Sequence, residues 1–213
     1  DNRFTDGTIF GSYGNLAQLK VRMLSYGSFV WVQAVFGDSF VVQRVVNVLL
    51  HLASCYAIWL LVAELFKHVR FSEETLAEPG FDINRQIAIF AAVALFAVHP
   101  MAVYAVGYLV QRSMVMMTLF AALACWTFVR ALAGGGIKWA SLALLFTVCA
   151  LLSKEHAVVL PALALPLYIF VKRPSWKVIA GIVVAIAVVM GLFTALLWQQ
   201  LGAFVGAVPP DHT

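Results

Sequence analysis

Ionisable and polar residues interrupt the apolar sequence at two places where they could bind an anion. His99, Gln111 and Arg112 lie at the first place, and the consecutive residues Lys154 and Glu155 lie at the second. Arginine and lysine bind phosphate or carboxylate oxygens through charge-assisted hydrogen bonds, and a neighbouring carboxylate can hold an ammonium group in position. Charged groups are costly at membrane depth, so these residues are candidates for a binding site. Snorkelling of Arg112 to lipid headgroups is the alternative.

The dipeptide His99-Pro100 allows two interpretations. A histidine at a helix end could hydrogen-bond a phosphate or a sugar. Alternatively, Pro100 ends the preceding helix and His99 caps the backbone carbonyl groups that are freed there. Taken by itself, the dipeptide favours the structural interpretation.

The composition defines the elements that must position these residues. Of 213 residues, 63% are hydrophobic and 11% are charged, whereas a soluble domain has about 45–50% apolar and 25% charged residues. This balance excludes a soluble globular domain and also a disordered chain. The net charge of +4 comes from scattered basic residues, which does not indicate a nucleic-acid partner. We therefore expect an all-α polytopic membrane protein.

Apolar runs of suitable length predict about six transmembrane helices. Their predicted ranges are 41–66, 87–98 with a possible extension to 104, 113–129, 137–152, 157–171 and 178–201. Residues 1–40 are predicted to form an external loop with interfacial helices, and residues 41–201 the transmembrane domain. Residues 202–213 are expected to begin a following external segment of a longer protein. On the first helix, Arg44, Asn47 and His51 are expected to share a face that points into the protein.

Alternation of these helices predicts their orientation. Three loops on one side carry eight of the 14 basic residues, and the positive-inside rule makes that side cytoplasmic. Those residues are Lys67, Arg70, Arg85, Arg130, Lys138, Lys172, Arg173 and Lys177. The same alternation brings His99, Gln111, Arg112, Lys154 and Glu155 together at the opposite, external edge.

Motifs of several other chemistries are absent from the sequence. There is no phosphate-binding GxxxxGK[ST] loop and no GxSxG or HExxH motif. His51 and His68 are not spaced as metal ligands. We predict no metal site or cofactor from these residues, and a divalent metal ion remains an open alternative.

Three strings resemble one family of enzymes. The segment His99–Arg112 resembles the HP…Y-V-x-Q-R segment of bacterial GT-C membrane glycosyltransferases, which often carry tetratricopeptide repeats and are related to protein O-mannosyltransferases. Leu151–Glu155, followed by Leu160-Pro161, resembles the L-S-K-E…L-P segment of the same group. Arg44–Leu52 is similar to its N-L-L-x-H element. The ordered set covers roughly residues 20–171 of the chain.

The resemblance implies a glycosyltransferase of the bacterial inner membrane that acts on the periplasmic face. Such an enzyme transfers a sugar from a polyprenyl-phosphate donor to an acceptor hydroxyl, such as that of a protein serine or threonine, and inverts the configuration. A carboxylate in the first external loop acts as the general base. The candidates here are Asp1 and Asp6, with Asn2 standing where the family has a second acid.

The resemblance also implies roles in substrate binding. Arg112 and Lys154 would bind the donor phosphate, Glu155 would orient Lys154, and His99 would line the site. Gln111 belongs to the same motif. Arg22 matches the arginine of the family's R-P-L element, in which Met23 replaces the proline.

Two other functions remain open. The chain could be a non-catalytic GT-C-like scaffold subunit of a larger complex, or a carrier that moves lipids without glycosylating an acceptor. In all three cases membrane lipid is a partner. A polyprenyl-phosphate-linked donor and an acceptor protein are partners only of the enzyme.

Overall fold

The computed structural model describes residues 22–186 and residue 188. The chain divides into two compact units, Asp1–Lys172 and Arg173–Thr213. Within the described residues the regular structure is entirely helical, without a strand. The predicted all-α class is therefore confirmed.

Eight α-helices form the first unit from residue 22 onwards. They are α1 (Met23–Phe36), α2 (Phe40–Phe66), α3 (Glu73–Ala77), α4 (Phe81–Val98), α5 (Pro100–Gly107), α6 (Arg112–Arg130), α7 (Gly136–Ser153) and α8 (Leu160–Lys172). Short 3-10 turns, Leu109–Gln111 and Glu155–Val159, precede α6 and α8, and a single π-turn, Ala131–Gly135, joins α6 to α7.

Helix α6 is the centre of this unit. It packs against α7 and α2 along its length and against α8 more locally. Helices α2 and α6 run in the same direction, since Asn47 near the start of α2 contacts Arg112, and Glu64 near its end approaches Arg130. We call the two ends of the bundle the Arg112 end and the Arg130 end, after the first and last residues of α6.

Four helical segments of the described chain are long and apolar enough to cross a membrane. They are Phe40–Phe66, Phe81–Val98, Leu109–Ser153 and Glu155–Lys172. The third contains 45 residues and reverses direction at Gly134, where φ is 107°. These segments support an integral membrane protein, whereas the predicted count of six is not confirmed. Large side chains exposed on α4 and α7, among them Phe90 and Leu144, are suited to contact with lipid.

The glycines between α6 and α7 form a tight reversal. Gly134 and Gly136 have positive φ values of 107° and 71°, which favour glycine because it lacks a Cβ atom. Gly135 has no room for a side chain, since a Cβ there would lie 2.3 Å from Cδ1 of Trp139. These three glycines therefore form the turn between the two helices.

The chain breaks between α4 and α5 at His99-Pro100, and polar residues of α2 bind the carbonyl groups freed by the breaks. Nε2 of His51 donates to the carbonyl oxygen of Ala97 at 3.1 Å. Nδ2 of Asn47 donates to the carbonyl of Val106, at the end of α5, at 3.2 Å. An unsatisfied carbonyl costs several kcal/mol in hydrocarbon, so the polar face of α2 makes the broken helices tolerable.

The face of α2 that points into the protein differs from the predicted one. Arg44 is exposed, and the buried positions beside Asn47 are Gln43 and Ser54. Gln43, Asn47 and His51 follow one another at intervals of four residues, which places them on one helix face. The expectation that Arg44 belongs to the interior stripe was therefore wrong.

The predicted loop over residues 1–40 is not confirmed in its described part. Residues 23–36 form α1, which packs against α2, α6 and α7. Phe29 and Met23 of this helix are buried. Residues 1–21 lie outside the described chain.

The second unit contains one described helix, α9 (Trp176–Ile186). It begins near the predicted start of the sixth membrane helix at residue 178. The rest of that predicted helix and the segment 202–213 lie outside the described residues, apart from residue 188.

Candidate functional site

Arg112 lies at the centre of a buried polar network at the Arg112 end. Its Nε donates to Oδ1 of Asn47 at 2.6 Å, and one terminal nitrogen donates to both Oε1 and the carbonyl oxygen of Gln43, at 2.7 and 2.8 Å. The other terminal nitrogen donates to Oγ of Ser28 at 3.2 Å. The guanidinium carbon lies 3.8 Å from the ring centroid of Phe29. The network thus joins α1, α2 and the start of α6.

The surroundings of Arg112 explain why it needs so many acceptors. The residue has no exposed surface, and it occupies the N-terminus of α6, where the helix dipole disfavours a cation. Four of the five N–H groups that a guanidinium carries are engaged. Arg112 therefore acts in this structure as an internal tie between helices, and binding a donor phosphate would require it to leave these partners.

Arg22 and Glu155 form an ion pair across 133 positions of the chain. Nε of Arg22 donates to one carboxylate oxygen at 2.8 Å, and a terminal nitrogen donates to the other. The second terminal nitrogen donates to the hydroxyl of Tyr26 at 2.8 Å. Hydrogen bonds to Glu155 and Tyr26 raise the pKa of Arg22 above its usual value. Arg22 therefore stays cationic throughout the physiological pH range.

Local backbone structure places this ion pair at the Arg112 end. Arg22 precedes α1 with φ of 63°, and its carbonyl accepts from the backbone N–H of Tyr26 at 2.9 Å, which begins the helix. Ser25 donates its hydroxyl to the carbonyl of Ser153 at 2.8 Å, tying α1 to the last residue of α7. Glu155 then follows Ser153 in the 3-10 turn.

Lys154 lies in the chain between Ser153, which accepts the hydrogen bond from Ser25, and Glu155, which binds Arg22. It is half-buried. The resemblance implied that Glu155 would orient Lys154, but Glu155 binds Arg22 instead, so that expectation is corrected. Among the described residues, the ammonium group of Lys154 has no hydrogen bond or ion pair. Among the described residues, Lys154 is therefore a cation at this end that can bind an anion without breaking an existing contact.

His99 has the structural role that its position before Pro100 suggested. Its Nδ1 accepts a hydrogen bond from the backbone N–H of Met101 at 3.3 Å and so caps the start of α5. The capped group is an N–H of the following helix, not a carbonyl of the preceding one. His99 also lines a cavity of about 230 Å³ together with His51 and Thr118. Its ring thus faces a cavity that residues of α2, α4, α5 and α6 line.

The remaining predicted site residues are placed as follows. Gln111 is half-buried in the 3-10 turn before α6, and its backbone N–H donates to the carbonyl of Tyr108 at 2.8 Å. Asp1 and Asp6, the candidates for the general base, lie outside the described residues. Within residues 22–186, no group of three His, Cys, Asp or Glu side chains could hold a metal ion.

A groove of about 590 Å³ lies between α6, α7 and α8. Small and aliphatic residues line it, including Ala140, Ala143, Leu160 and Leu167. Leu160 begins α8 directly after the turn that carries Glu155. An apolar chain therefore fits this groove, and one end of it lies close in sequence to the charged residues.

Sequence reasoning missed two members of the buried network, Gln43 and Ser28. A signal for Gln43 was present, since it precedes Asn47 by one helical turn in an otherwise apolar segment. Ser28 has no such signal, because serine is common in helices of every environment.

Comparison with protein-family models, with curated proteins and with solved structures finds no match to this chain.

Proposed function

We propose that the protein is a membrane-embedded glycosyltransferase that uses a polyprenyl-phosphate-linked sugar and transfers the sugar to a hydroxyl of a protein or another acceptor. The observation that carries this proposal is the placement of Lys154. Its ammonium group has no described partner, and it lies beside the Arg22–Glu155 ion pair at the end of α7. A phosphodiester needs such a cation.

The donor's lipid is accommodated by the apolar groove between α7 and α8. Its lining is mainly apolar, as a polyprenyl chain requires, and Leu160 and Pro161 in that lining follow the turn after Lys154. A donor bound in this way has its phosphate at Lys154 and its tail toward the Arg130 end. The sugar then projects from the Arg112 end, which is the predicted external face.

The transfer breaks the bond between the anomeric carbon and the phosphate oxygen and forms a bond from that carbon to the acceptor oxygen. Polyprenyl phosphate leaves, and the acceptor's hydroxyl proton passes to a carboxylate, for which Asp1 and Asp6 are the candidates. Lys154 stabilises the negative charge that grows on the leaving phosphate. Arg112 supports the site indirectly by holding α1 and α2 against α6.

The experiment uses the full chain in proteoliposomes with radiolabelled polyprenyl-phosphate mannose as the probe. Bound donor and released polyprenyl phosphate are both measured for the parent and for Lys154→Gln. We expect donor binding to weaken at least about tenfold, because a charge-assisted hydrogen bond is lost. Lys138→Gln removes an exposed lysine from the Arg130 end and is the matched control, which should bind donor as the parent does.

Equal donor binding by Lys154→Gln and the parent would contradict the proposal. Thermal unfolding of both variants separates a loss of ligand binding from a loss of folding. Donor binding without release of polyprenyl phosphate in the presence of acceptor proteins would instead identify a carrier.

A scaffold subunit is the second candidate function. It is favoured because four of the five N–H groups of Arg112 already bind protein acceptors. The most deeply buried cation at this end binds only protein groups, as in a structural core. A scaffold predicts that polyprenyl-phosphate mannose is not retained by the parent protein at all, so the same binding measurement discriminates the two functions.

A further inference from the structure

A second cluster of charged side chains surrounds a cavity at the Arg130 end. The cavity has a volume of about 280 Å³ and lies between the end of α2, the start of α4 and the end of α6. Its charged lining consists of Lys67, Arg85, Arg130 and Glu64. Trp59 and Trp126 contribute aromatic walls. None of these residues takes part in the site at the Arg112 end.

Arg130 packs against two aromatic rings, and its guanidinium group makes no hydrogen bond to a described residue. The guanidinium carbon lies 4.3 Å from the ring centroid of Trp139 and 5.7 Å from that of Trp126. The nearest oxygen of Glu64 is 3.9 Å from Nη1 of Arg130, which is too long for a hydrogen bond. At the other end of the same helix, Arg112 uses four N–H groups on protein acceptors. The Arg130 side chain is 39% exposed, so its N–H donors are accessible to a ligand.

The charges around the cavity leave a positive surplus. The carboxylate of Glu64 is 9% exposed and accepts from Nζ of Lys67 at 2.8 Å. Arg85 is paired with Asp82 at 2.9 Å, whose side chain is largely exposed. The cavity lining thus contains three cations and one carboxylate, and the second carboxylate, that of Asp82, lies outside it. Arg130 also lies at the C-terminus of α6, where the helix dipole favours a cation.

Simple snorkelling explains this arrangement less well. A snorkelling side chain extends toward headgroups and remains mobile, whereas the guanidinium group of Arg130 packs over the ring of Trp139 and near that of Trp126, next to a buried carboxylate. Glu64 anchors Lys67 beside the same cavity. A buried acid at a membrane helix end is costly, and here the carboxylate of Glu64 lies close to both Lys67 and Arg130.

We infer that this cavity binds the phosphate group of an anionic membrane lipid. Arg130 and Lys67 donate to the phosphate oxygens, and Trp59 packs against the glycerol region at the membrane interface. The lipid's acyl chains extend along the apolar surface of α4, where Ile87 and Phe90 are exposed. Basic pockets between helix ends are suited to such headgroups because the charge and the apolar surface are adjacent.

The test is native mass spectrometry of the full chain, purified in detergent and supplied with phosphatidylglycerol or phosphatidylcholine. We expect retained phosphatidylglycerol and little phosphatidylcholine. In Lys67→Gln and Arg130→Gln, retention of phosphatidylglycerol should fall about tenfold, since each variant removes a charge-assisted hydrogen bond. Arg130→Lys keeps the charge and should retain more of this lipid than Arg130→Gln.

Lys138→Gln is the matched control, because it removes an exposed cation at the same end that does not line the cavity. Equal retention of the two lipids, or equal loss in Lys138→Gln and Lys67→Gln, would overturn the inference. Addition of inorganic phosphate distinguishes the source of the anion. If phosphate alone displaces the lipid at equal concentration, the site recognises a soluble anion and the lipid assignment is overturned.

Discussion

Arg22 and Glu155 join the start of α1 to the turn after α7 through an ion pair in which two nitrogens of Arg22 contact the two carboxylate oxygens. The side chains are 35% and 45% exposed. The pair therefore contributes specificity of packing more than stability, because solvent screens its attraction. By engaging Glu155, Arg22 leaves the neighbouring Lys154 available.

A double-mutant cycle on this pair should give a small coupling energy. We expect Arg22→Ala and Glu155→Ala each to lower the free energy of unfolding slightly, with a coupling of at most about 1 kcal/mol. Urea unfolding of the two single variants and the double variant in detergent measures it. A coupling of several kcal/mol would show that the pair is shielded from water by a partner.

Arg112→Ala should destabilise the protein strongly. The substitution removes four hydrogen bonds and leaves Asn47 and Gln43 with buried acceptors, so we expect a loss of about 3 kcal/mol or more. Thermal unfolding measured by the fluorescence of the tryptophans detects the change. Arg44→Ala, which removes an exposed arginine of α2, is the control and should change stability by less than about 0.5 kcal/mol. Similar melting temperatures for the two variants would contradict the assignment of Arg112 as a structural residue.

Gly135→Ala should disturb the turn between α6 and α7. Its Cβ would lie 2.3 Å from Cδ1 of Trp139 and 2.7 Å from the carbonyl oxygen of Arg130, so Trp139 must move. We expect a loss of about 1–3 kcal/mol, typical of overpacking, and a changed tryptophan emission. Gly107→Ala is the control, because nothing lies within 4 Å of its added Cβ. Unchanged emission and stability in Gly135→Ala would contradict this packing.

Cysteine labelling tests the predicted orientation. Val158 follows Lys154 at the Arg112 end and Ile137 begins α7 at the Arg130 end, and both are highly exposed. We expect Val158→Cys to react with a membrane-impermeant maleimide in intact spheroplasts and Ile137→Cys to react only after permeabilisation. The parent chain supplies the background, because it contains the buried Cys55 and the partly buried Cys125 and Cys149. The reverse pattern would place the Lys154 site in the cytoplasm and contradict the positive-inside prediction.

The sequence by itself determined the all-helical class and the positions of the central helices α2, α6 and α7. The predicted ranges 41–66, 113–129 and 137–152 lie within one or two residues of α2, α6 and α7. Apolar runs bounded by charge, glycine or proline carry this information because membrane helices satisfy their own backbone hydrogen bonds, so their bounds depend on local residues. The break at His99-Pro100 was likewise evident, since proline cannot donate the hydrogen bond that would continue α4.

Only the tertiary structure decided which charged side chain meets which partner. The sequence grouped Arg112, Lys154 and Glu155 at one edge, but it could not show that Arg112 is enclosed by α1 and α2 or that Glu155 binds Arg22. Nor did it distinguish Arg130, which packs against two tryptophans, from an ordinary loop cation. In helices that are apolar on every side, periodicity does not identify the buried face. Long, flexible cationic side chains find partners only after distant helices have packed together.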